Sequence, residues 1–347
     1  MSIKKFVCLL FTLLSICPLT AQQQNSVGII SSSAIEDVDS TFVYKFEKPN
    51  DVRLIYGTQG SSLEYGSKNE TNPSVPTSIF NNVNDFVGIG LTYKILDADI
   101  TFSLPKTRLL EEDRENLNQF KFSLSYTGRK FTIRGLISDT NGMVSADPMD
   151  RFQSNADVHQ FRISAQFTYI FNHQKYSYRA AMFQNELQRK TAGSFLLRLE
   201  PFYRGLGEGS GLVPSSYDNV QTYGDQVGLE YLKAPGFLVM PGYGVTITPF
   251  DEKFYVAPLI FGGPGLAFNF YQGNLGDFTY TNFEWAAVAA LNVGYNGVRT
   301  YLNLNITGDI NYTPLNPTYF TSSNLKISLT FGYRFVDLEK FIPRSFL

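Results

Sequence analysis

The residues with the clearest chemical potential are charged side chains that recur at every second position in several stretches of the chain. Arg198 and Glu200 occur in one stretch, and Arg162 and Arg179 occur in the two before it. The planar guanidinium of arginine binds carboxylates and other anions through paired hydrogen bonds. The sequence therefore predicts a charged face with these members: Lys121, Arg134, Arg162, Arg179, Arg198, Glu200, Arg204, Lys326 and Arg334.

Hydrolytic chemistry has a weaker basis. The two histidines are His159 and His173, and a Ser–His–acid site needs its base within hydrogen-bond reach of both partners. A rim hydrolase built on His159 with Ser154 or Ser164 is an alternative that no motif selects. No cluster of His or carboxylates has metal-ligand spacing. We therefore expect no enzyme activity, no cofactor and no metal site.

The element that positions the charged face is a strand with two contrasting sides. In "HQFRISAQFTYIFN" (159–172), one alternate set is apolar and the other is polar. Period two is the signature of a β-strand, because successive side chains point to opposite faces. The apolar set is Phe161, Ile163, Phe167, Tyr169 and Phe171, and the polar set is Gln160, Arg162, Ser164, Gln166 and Thr168.

The same alternation recurs along the chain, as in "QFKFSLSY" (119–126) and "NLKISLTFGYRF" (324–335), and helical patterns are nearly absent. The fold class is therefore all-β, either a soluble sandwich or barrel or a transmembrane barrel. Uninterrupted alternation over 159–171 and 324–335 exceeds the usual soluble strand of about 5–6 residues and suits a membrane strand of about 9–11. We predict a closed antiparallel barrel of the outer-membrane type with a polar, Arg-rich lumen, since an open edge in lipid leaves backbone groups unpaired.

Connection lengths and aromatic residues favour the same interpretation. Tight turns at 127–130, 172–175, 249–253 and 295–299 alternate with longer connections at 58–85, 105–117, 139–156 and 308–321. Short periplasmic turns and long external loops are typical of outer-membrane barrels. Aromatic residues flank the tight turns, as an interfacial girdle would. They are Tyr126, Phe131, Phe171, Tyr176, Tyr178, Phe250, Phe254, Tyr255, Tyr295 and Tyr301.

The strand count follows from the turns. Strands are predicted near 51–58, 86–95, 98–105, 118–127, 130–138, 158–171, 175–183, 194–204, 236–248, 253–271, 280–295, 298–308 and 322–336. Keeping all tight turns on one side requires one more strand, for which 225–232 is the candidate. The total is about 14, and 12 is the alternative because 51–58 and 225–232 are weakly patterned.

The N-terminus reads as a secretory signal over residues 1–21. Lys4 and Lys5 precede a short apolar core, and Ala21 offers a cleavage point. Lipidation of Cys17 is the alternative. Both cysteines lie inside this segment, so the exported chain would hold no disulfide. The formal net charge of -2 argues against a nucleic-acid partner.

The stretch "YRAAMFQNELQRKTAGSFLLRLEPFYR" (178–204) resembles an uncharacterised family of exported Bacteroidota proteins, domain of unknown function 4421. "GIGLTYKILDADITFSLP" (88–105) and "GYGVTI…GGPGL" (242–266) are similar in kind. The resemblance implies a cell-envelope barrel in a Gram-negative outer membrane, and it assigns no activity and no catalytic residues.

We expect a barrel over 51–336, preceded by a periplasmic or inward-folding segment (22–50) and followed by a C-terminal tail (337–347). The loop 184–193 is expected on the long-loop side as a solvated surface loop, with inward folding as the alternative. The charged face predicts either a cationic constriction that favours anions or an Arg–Glu ladder that fills the lumen, with Glu230 and Glu284 as further acids.

The function expected from these features is a passive channel or small-solute transport barrel, with anion preference as an option. The alternative is a non-conducting structural or surface-binding envelope barrel. The expected partners are outer-membrane lipid and lipopolysaccharide, the outer-membrane assembly machinery and a small anionic solute.

Overall fold

The structure, a computed structural model, describes residues 38–48, 50–67, 78–104, 118–146, 152–207, 226, 229–250, 252–273, 275–315 and 318–335. These residues form β-strands with one short helix among them. In chain order the elements are β1 (Val43–Lys45), β2 (Asn50–Ser67), β3 (Ser78–Tyr93), β4 (Leu96–Ser103), β5 (Asn118–Thr127), β6 (Phe131–Ala146), β7 (Phe152–Ile170), α1 (Tyr178–Phe183), β8 (Glu186–Gln188), β9 (Ala192–Gly207), β10 (Tyr231–Thr246), β11 (Phe254–Gly273), β12 (Gly276–Asn296), β13 (Thr300–Pro314) and β14 (Thr318–Phe335).

Twelve of the described strands close into an antiparallel barrel. Each strand pairs with its neighbours in chain order, and β9 follows β7 because β8 lies outside the wall. The barrel closes where β14 pairs with β2, for example Leu329 opposite Tyr56. The predicted fold class is confirmed, and the lower of the two strand counts is right.

The prediction of about 14 strands is wrong at two segments. Residues 178–183, predicted within a strand, form α1, because the Ser177 side chain caps the helix by accepting the Ala180 N–H. Residues 172–175 are therefore not a hairpin turn, and no compensating strand is needed at 225–232. In that region β10 begins only at Tyr231, and residues 229–230 lie outside any strand.

Several predicted loops are partly strand. The strands β2 and β3 extend into 58–85, β6 and β7 into 139–156, and β13 and β14 into 308–321. In the extension of β2, for example, the outward positions 58, 60, 62, 64 and 66 are Thr, Gly, Ser, Glu and Gly, so the outer face is no longer apolar. A strand beyond the bilayer contacts water on its outer side and loses the alternation that identifies a membrane strand.

The outer face of the barrel carries an apolar band. On β14, five alternate side chains from Leu325 to Tyr333 are 43% to 52% exposed. Nine strand residues span about 30 Å, close to the band of about 25 Å in outer-membrane barrels. In the stretch 159–172, Ile163, Phe167 and Tyr169 are exposed, while Ser164 and Thr168 are buried inside. The predicted facing of this strand is confirmed.

Aromatic pairs occupy the outer surface near the short turns. Their ring centroids are 5.0 to 5.8 Å apart, and the pairs are Tyr126–Phe131, Tyr169–Phe171, Phe195–Tyr243 and Phe254–Tyr295. Four predicted members of the girdle point inward and are buried: Tyr176, Tyr178, Tyr255 and Tyr301. The last two occupy inward positions of β11 and β13, and the first two belong to a segment inside the barrel.

Residues 1–37 and 336–347 lie outside the described residues, so the signal segment and the C-terminal tail stay predictions. Among the described residues, no helix is long and apolar enough to cross a membrane.

Candidate functional site

Residues 171–191, here called the plug, leave the end of β7 and return to β9. They contain α1 and β8. The short turns after β3, β5, β10 and β12 lie at the same end of the barrel, here called the short-turn end. Gln184 ends α1 with φ 57°, a left-handed conformation that turns the chain towards β8. The prediction that 184–193 lies on the long-loop side is wrong. Residues 184–188 are buried, as the inward-folding alternative expects, whereas 189–191 are exposed to solvent.

The plug crosses the barrel mouth, because it contacts strands on several sides of the wall. The Asn185 side chain donates to Asp97 on β4, with 3.0 Å between Nδ2 and Oδ1. The Asn296 amide at the end of β12 donates to the Glu186 carbonyl at 2.8 Å. Arg334 on β14 donates to the Gln184 carbonyl. These three contacts join the plug to β4, β12 and β14.

Glu186 is the electrostatic centre of the plug. Its carboxylate lies 3.0 Å from Arg129 Nη1 in the turn between β5 and β6, and 3.6 Å from Arg179 Nη1 on α1. The Ser177 hydroxyl donates to it at 2.6 Å. Burial lowers the pKa of the Arg129 guanidinium, and the Glu186 charge opposes that shift. Glu186 is 1% exposed, so its two arginines stabilise a charge that water cannot reach.

Arg179 therefore has a different position from the one predicted. It lies on α1 rather than on a strand, where it also donates to the Lys94 carbonyl of the turn between β3 and β4 at 3.1 Å. Arg334 is fully buried at the short-turn end, with its guanidinium 3.9 Å from the centre of the Phe46 ring. Both arginines hold the plug rather than line an open lumen.

The N-terminal segment reinforces the plug. Residues 43–45 form β1, which pairs antiparallel with β8 through Tyr44 and Leu187. Arg189 also donates to the Ser40 carbonyl. Of the predicted segment 22–50, residues 38–48 thus pack on the plug, and residues 22–37 lie outside the described residues.

Apolar packing holds the plug against one arc of the wall. The inner faces of β10, β11 and β12 are largely apolar, unlike those of β2 to β7. Tyr176 and Tyr178 pack in this cluster, and burial raises the pKa of the Tyr176 hydroxyl. A Cβ on Gly244 would come within 2.5 Å of the Tyr176 hydroxyl oxygen, so glycine allows this ring to approach β10.

A cavity of about 280 Å³ lies inside the barrel beside the plug. Its lining includes Met182 and Phe183 from the plug. Seven cationic side chains line it, namely Arg53, Lys121, Arg134, Arg162, Arg198, Arg204 and Lys326. A second apolar cluster, which includes Leu63, Leu206 and Phe320, fills part of the interior towards the opposite end.

Three of the cavity arginines are paired with carboxylates. Arg204 forms a two-pronged pair with Glu284, at 3.0 and 2.9 Å. Arg162 lies 2.9 Å from Glu200 and 3.5 Å from Asp309. Arg53 contacts Asp51, Asp97 and Asp99 at 3.2, 3.6 and 2.8 Å. These pairs form the Arg–acid ladder that the sequence predicts as one alternative, with Glu284 among its acids.

Four cavity cations have no carboxylate within 4 Å among the described residues: Lys121, Arg134, Arg198 and Lys326. Arg198 stacks on Phe261, with 3.8 Å from guanidinium to ring centre. Arg134 makes one long contact, 3.4 Å, to the Ser123 hydroxyl. The lysine ammonium of residue 326 lies 5.0 Å from the centre of the Phe86 ring. Asp99 faces Arg134 and Lys326, and Asp309 faces Lys121, but both acids also pair with arginines. Among the described residues the seven cavity cations therefore exceed the six carboxylates of the ladder by one.

Of the nine predicted charged residues, six line the cavity: Lys121, Arg134, Arg162, Arg198, Arg204 and Lys326. Glu200 pairs with one of them, and Arg179 and Arg334 belong to the plug contacts. The sequence prediction missed Arg53, Arg129 and Glu186. Arg53 could have been found, because Asp51, Arg53 and Ile55 alternate with Val52 and Leu54. Arg129 lies in a turn and Glu186 begins the three-residue strand β8, and neither segment is long enough for alternation to mark its inward side.

The predicted rim site does not assemble. His159 Nε2 lies 2.6 Å from Asp139 Oδ1, and both side chains are partly exposed on the outer face. Ser164 is buried on the inner face of the same strand, so it cannot reach the imidazole. The side chain of Ser154 lies outside the described ones. Within the described part of the chain, no group of His, Cys and carboxylates could hold a metal ion.

The closed barrel, its apolar outer band and its charged interior define an outer-membrane β-barrel protein. The chain belongs to the domain of unknown function 4421 family, which matches residues 37–335. No curated protein matches the chain in sequence.

Solved structures with a similar fold are outer-membrane barrels. The protease OmpT from Escherichia coli has 11% identity and a TM-score of 0.38, covering 82% of this chain and 96% of its own. An outer membrane channel from Pseudomonas putida F1 has 8% identity and a TM-score of 0.35, covering 82% and 95%. The P. putida toluene transporter TodX has 9% identity and a TM-score of 0.29, covering 83% and 90%. Likeness this distant carries no argument about activity.

Proposed function

We propose that this protein is an outer-membrane transport barrel for small anionic solutes, with the plug as its gate. The observation that carries the proposal is the internal cavity, where Lys121, Arg134 and Lys326 have no carboxylate within 4 Å among the described residues. The acids that face them, Asp99 and Asp309, are shared with Arg53 and Arg162 of the ladder. Burying a cation is costly unless it is fully paired, and an anionic solute that enters the cavity supplies a closer partner.

The two charge systems have separate roles in this proposal. The ladder of paired arginines fixes the inner wall, and the unpaired cations select the solute, as rings of Lys and Arg do in anion pores. The plug closes the short-turn end, which faces the periplasm in barrels of this type. Transport then requires the plug to shift, and the Glu186 contacts set how often it does.

The setting of this function is the outer membrane of a Gram-negative bacterium. The apolar band contacts lipid and lipopolysaccharide, and export through the predicted signal segment delivers the chain to the barrel-assembly machinery. A small anion is the proposed solute, and no catalytic step is assigned to the His159–Asp139 pair.

Planar-bilayer recording of the purified protein tests the proposal. We expect rare openings in the unmodified protein and frequent openings once the plug is loosened, with a reversal potential in a salt gradient that shows anion preference. Replacing Lys121 and Lys326 by Gln should reduce that preference, because two positive charges leave the cavity. Lys130→Gln, an exposed lysine in a turn, is the matched control and should leave selectivity unchanged.

A non-conducting structural barrel is the second candidate, and the buried Glu186 pairs favour it because they fasten the plug at several points. The two candidates differ in one result. A structural barrel stays silent when the plug is loosened and the barrel remains folded, whereas a gated transporter conducts.

A further inference from the structure

Two opposite walls of the cavity differ in chemistry. The first wall is apolar and consists of Leu259 on β11, Val288 and Ala290 on β12, and Met182 and Phe183 at the end of α1. These residues belong to, or pack against, the cluster that holds the plug. Their side chains are apolar apart from the Met182 sulfur, which accepts a hydrogen bond at 3.5 Å from the Asn292 amide, a polar group of β12 that also lines the cavity.

The second wall carries the unpaired cations. Lys121 lies on β5, Arg134 on β6 and Lys326 on β14. In the circular order of twelve described strands, β5 and β6 are six and five strands from β12, so Lys121 and Arg134 lie across the barrel from Val288. Lys326 on β14 is two strands from β12 and lies at the border between the two walls. Asp99 faces Arg134 and Lys326, and Asp309 faces Lys121, but both acids are shared with arginines of the ladder.

This arrangement leaves each wall incomplete without a ligand. The Nε of Arg134 is buried and has no hydrogen-bond partner, and the two lysines have no carboxylate within 4 Å in the described part of the chain. An inorganic anion would satisfy the cations and leave the apolar wall in contact with water. A hydrocarbon would cover the apolar wall and leave the cations unpaired.

We propose that the cavity binds an amphipathic anion, a single alkyl chain with a carboxylate, sulfonate or similar head group. The head group lies against Lys121, Arg134 and Lys326, and the chain lies along Leu259 and Val288. This inference rests on the proposed anion transport and names its substrate class. The cavity of about 280 Å³ is near the lower end of ligand pockets, roughly 300–1,000 Å³, so a medium-length chain fits better than a long one.

The interior towards the opposite end agrees with this ligand. The apolar cluster there includes Leu63, Leu206, Leu232 and Phe320, and a smaller cavity of about 40 Å³ lined by these residues also contacts Arg204. Arg204 and Gln160 line both cavities. An alkyl chain can pass such a cluster with little desolvation cost, whereas a fully hydrated anion cannot.

Isothermal titration of the full-length protein in a non-ionic detergent tests the inference. The probes are acetate, hexanoate, octanoate and decanoate, with decyltrimethylammonium as the oppositely charged amphiphile. We expect affinity to rise with chain length, so that decanoate binds at least about a hundredfold more tightly than acetate, the effect of burying three or four of its eight additional methylene groups. Decyltrimethylammonium should show only the heat of partition into detergent micelles.

Two variants separate the walls. Lys121→Gln with Lys326→Gln should weaken decanoate by about tenfold or more, since charge-assisted hydrogen bonds are lost. Val288→Thr, which keeps the side-chain volume, should weaken decanoate and leave acetate unchanged. Lys130→Gln is the control for the charge change, and circular dichroism with heat-shifted gel migration verifies that every variant is folded.

Equal binding of acetate and decanoate would overturn the amphipathic ligand while leaving anion transport intact. Decanoate binding that survives loss of both lysines, or that decyltrimethylammonium matches, would show micelle partition and overturn it as well. Decanoate binding with the expected losses, in a protein that stays silent in bilayers after plug loosening, supports the binding site and refutes transport instead.

Discussion

Replacing Glu186 by Gln should open the plug. The substitution keeps the side-chain size but removes the charge that Arg129 and Arg179 share at 3.0 and 3.6 Å. In the closed state two buried guanidinium groups then lack a counter-charge, and in the open state water solvates them. Removing one partner of a buried ion pair costs about 3–5 kcal/mol.

For Glu186→Gln we expect the lower end of this cost, about 3 kcal/mol, because Gln can still accept the hydrogen bond from the Ser177 hydroxyl. About 3 kcal/mol corresponds to roughly a hundredfold change in an equilibrium constant. The closed state loses this amount relative to the open state. The open probability in single-channel recordings should therefore rise by about a hundredfold in Glu186→Gln.

Glu252→Gln is the matched control. Glu252 pairs with Arg189 of the plug at 3.2 Å, but both side chains are 40% exposed, and such pairs contribute about 0.2–1 kcal/mol. The open probability of Glu252→Gln should therefore stay within about fivefold of that of the unmodified protein. A second check is Arg129→Met combined with Glu186→Gln, which should open less than Glu186→Gln alone because one unpaired charge is gone.

The reasoning is refuted if Glu186→Gln and Glu252→Gln open equally often in folded barrels. In that case the buried carboxylate does not hold the plug. If both variants instead keep the same open probability, the apolar packing of Tyr176 and its neighbours is the main contact that holds the plug in place.

Three further predictions test the wall, the plug and the ladder. Ile163→Arg should lower the free energy of unfolding in lipid by about 2–4 kcal/mol near the bilayer midplane, and normal stability in urea titrations would contradict the outward assignment. Gly244→Leu should push the Tyr176 ring away from β10 and raise the bilayer conductance, since even a Cβ would lie 2.5 Å from the Tyr176 hydroxyl oxygen. An unchanged conductance would argue that packing at this contact does not hold the plug. Arg204→Met should destabilise the barrel by about 3–5 kcal/mol because Glu284 stays buried and unpaired, and adding Glu284→Gln should recover much of the loss in the same titration.

Much of the barrel wall was predictable from the sequence. In β14, Leu325 to Tyr333 alternate with Lys326 to Arg334, and the pleat sends these two sets to opposite sides. Lipid requires the apolar set outside and a closed hydrogen-bond network. This alternation predicts which segments are strands and which side of each strand faces lipid. It also predicts six of the cations that line the cavity.

The plug escaped prediction because its pattern has no single period. In "NHQKYSYRAAMFQNELQ" (172–188), apolar residues serve a short helix and a three-residue strand. The alternation of Tyr176 and Tyr178 matches a membrane strand, although both rings pack inside the barrel. The connection between β7 and β9 is long enough to fold inward, and this possibility cannot be separated from an extra hairpin by pattern alone.

The sequence by itself determined which side chains face lipid where the alternation is unbroken, as in β7 and β14, since that choice depends on neighbours two residues apart. Only the tertiary structure decided which charges meet. Arg129 and Glu186 are far apart in the chain, as are Arg204 and Glu284, and barrel closure and the inward plug bring each pair within 3.0 Å. The same closure leaves Lys121, Arg134 and Lys326 without a carboxylate within 4 Å in the described residues, because pairing across a lumen depends on the three-dimensional register of many strands.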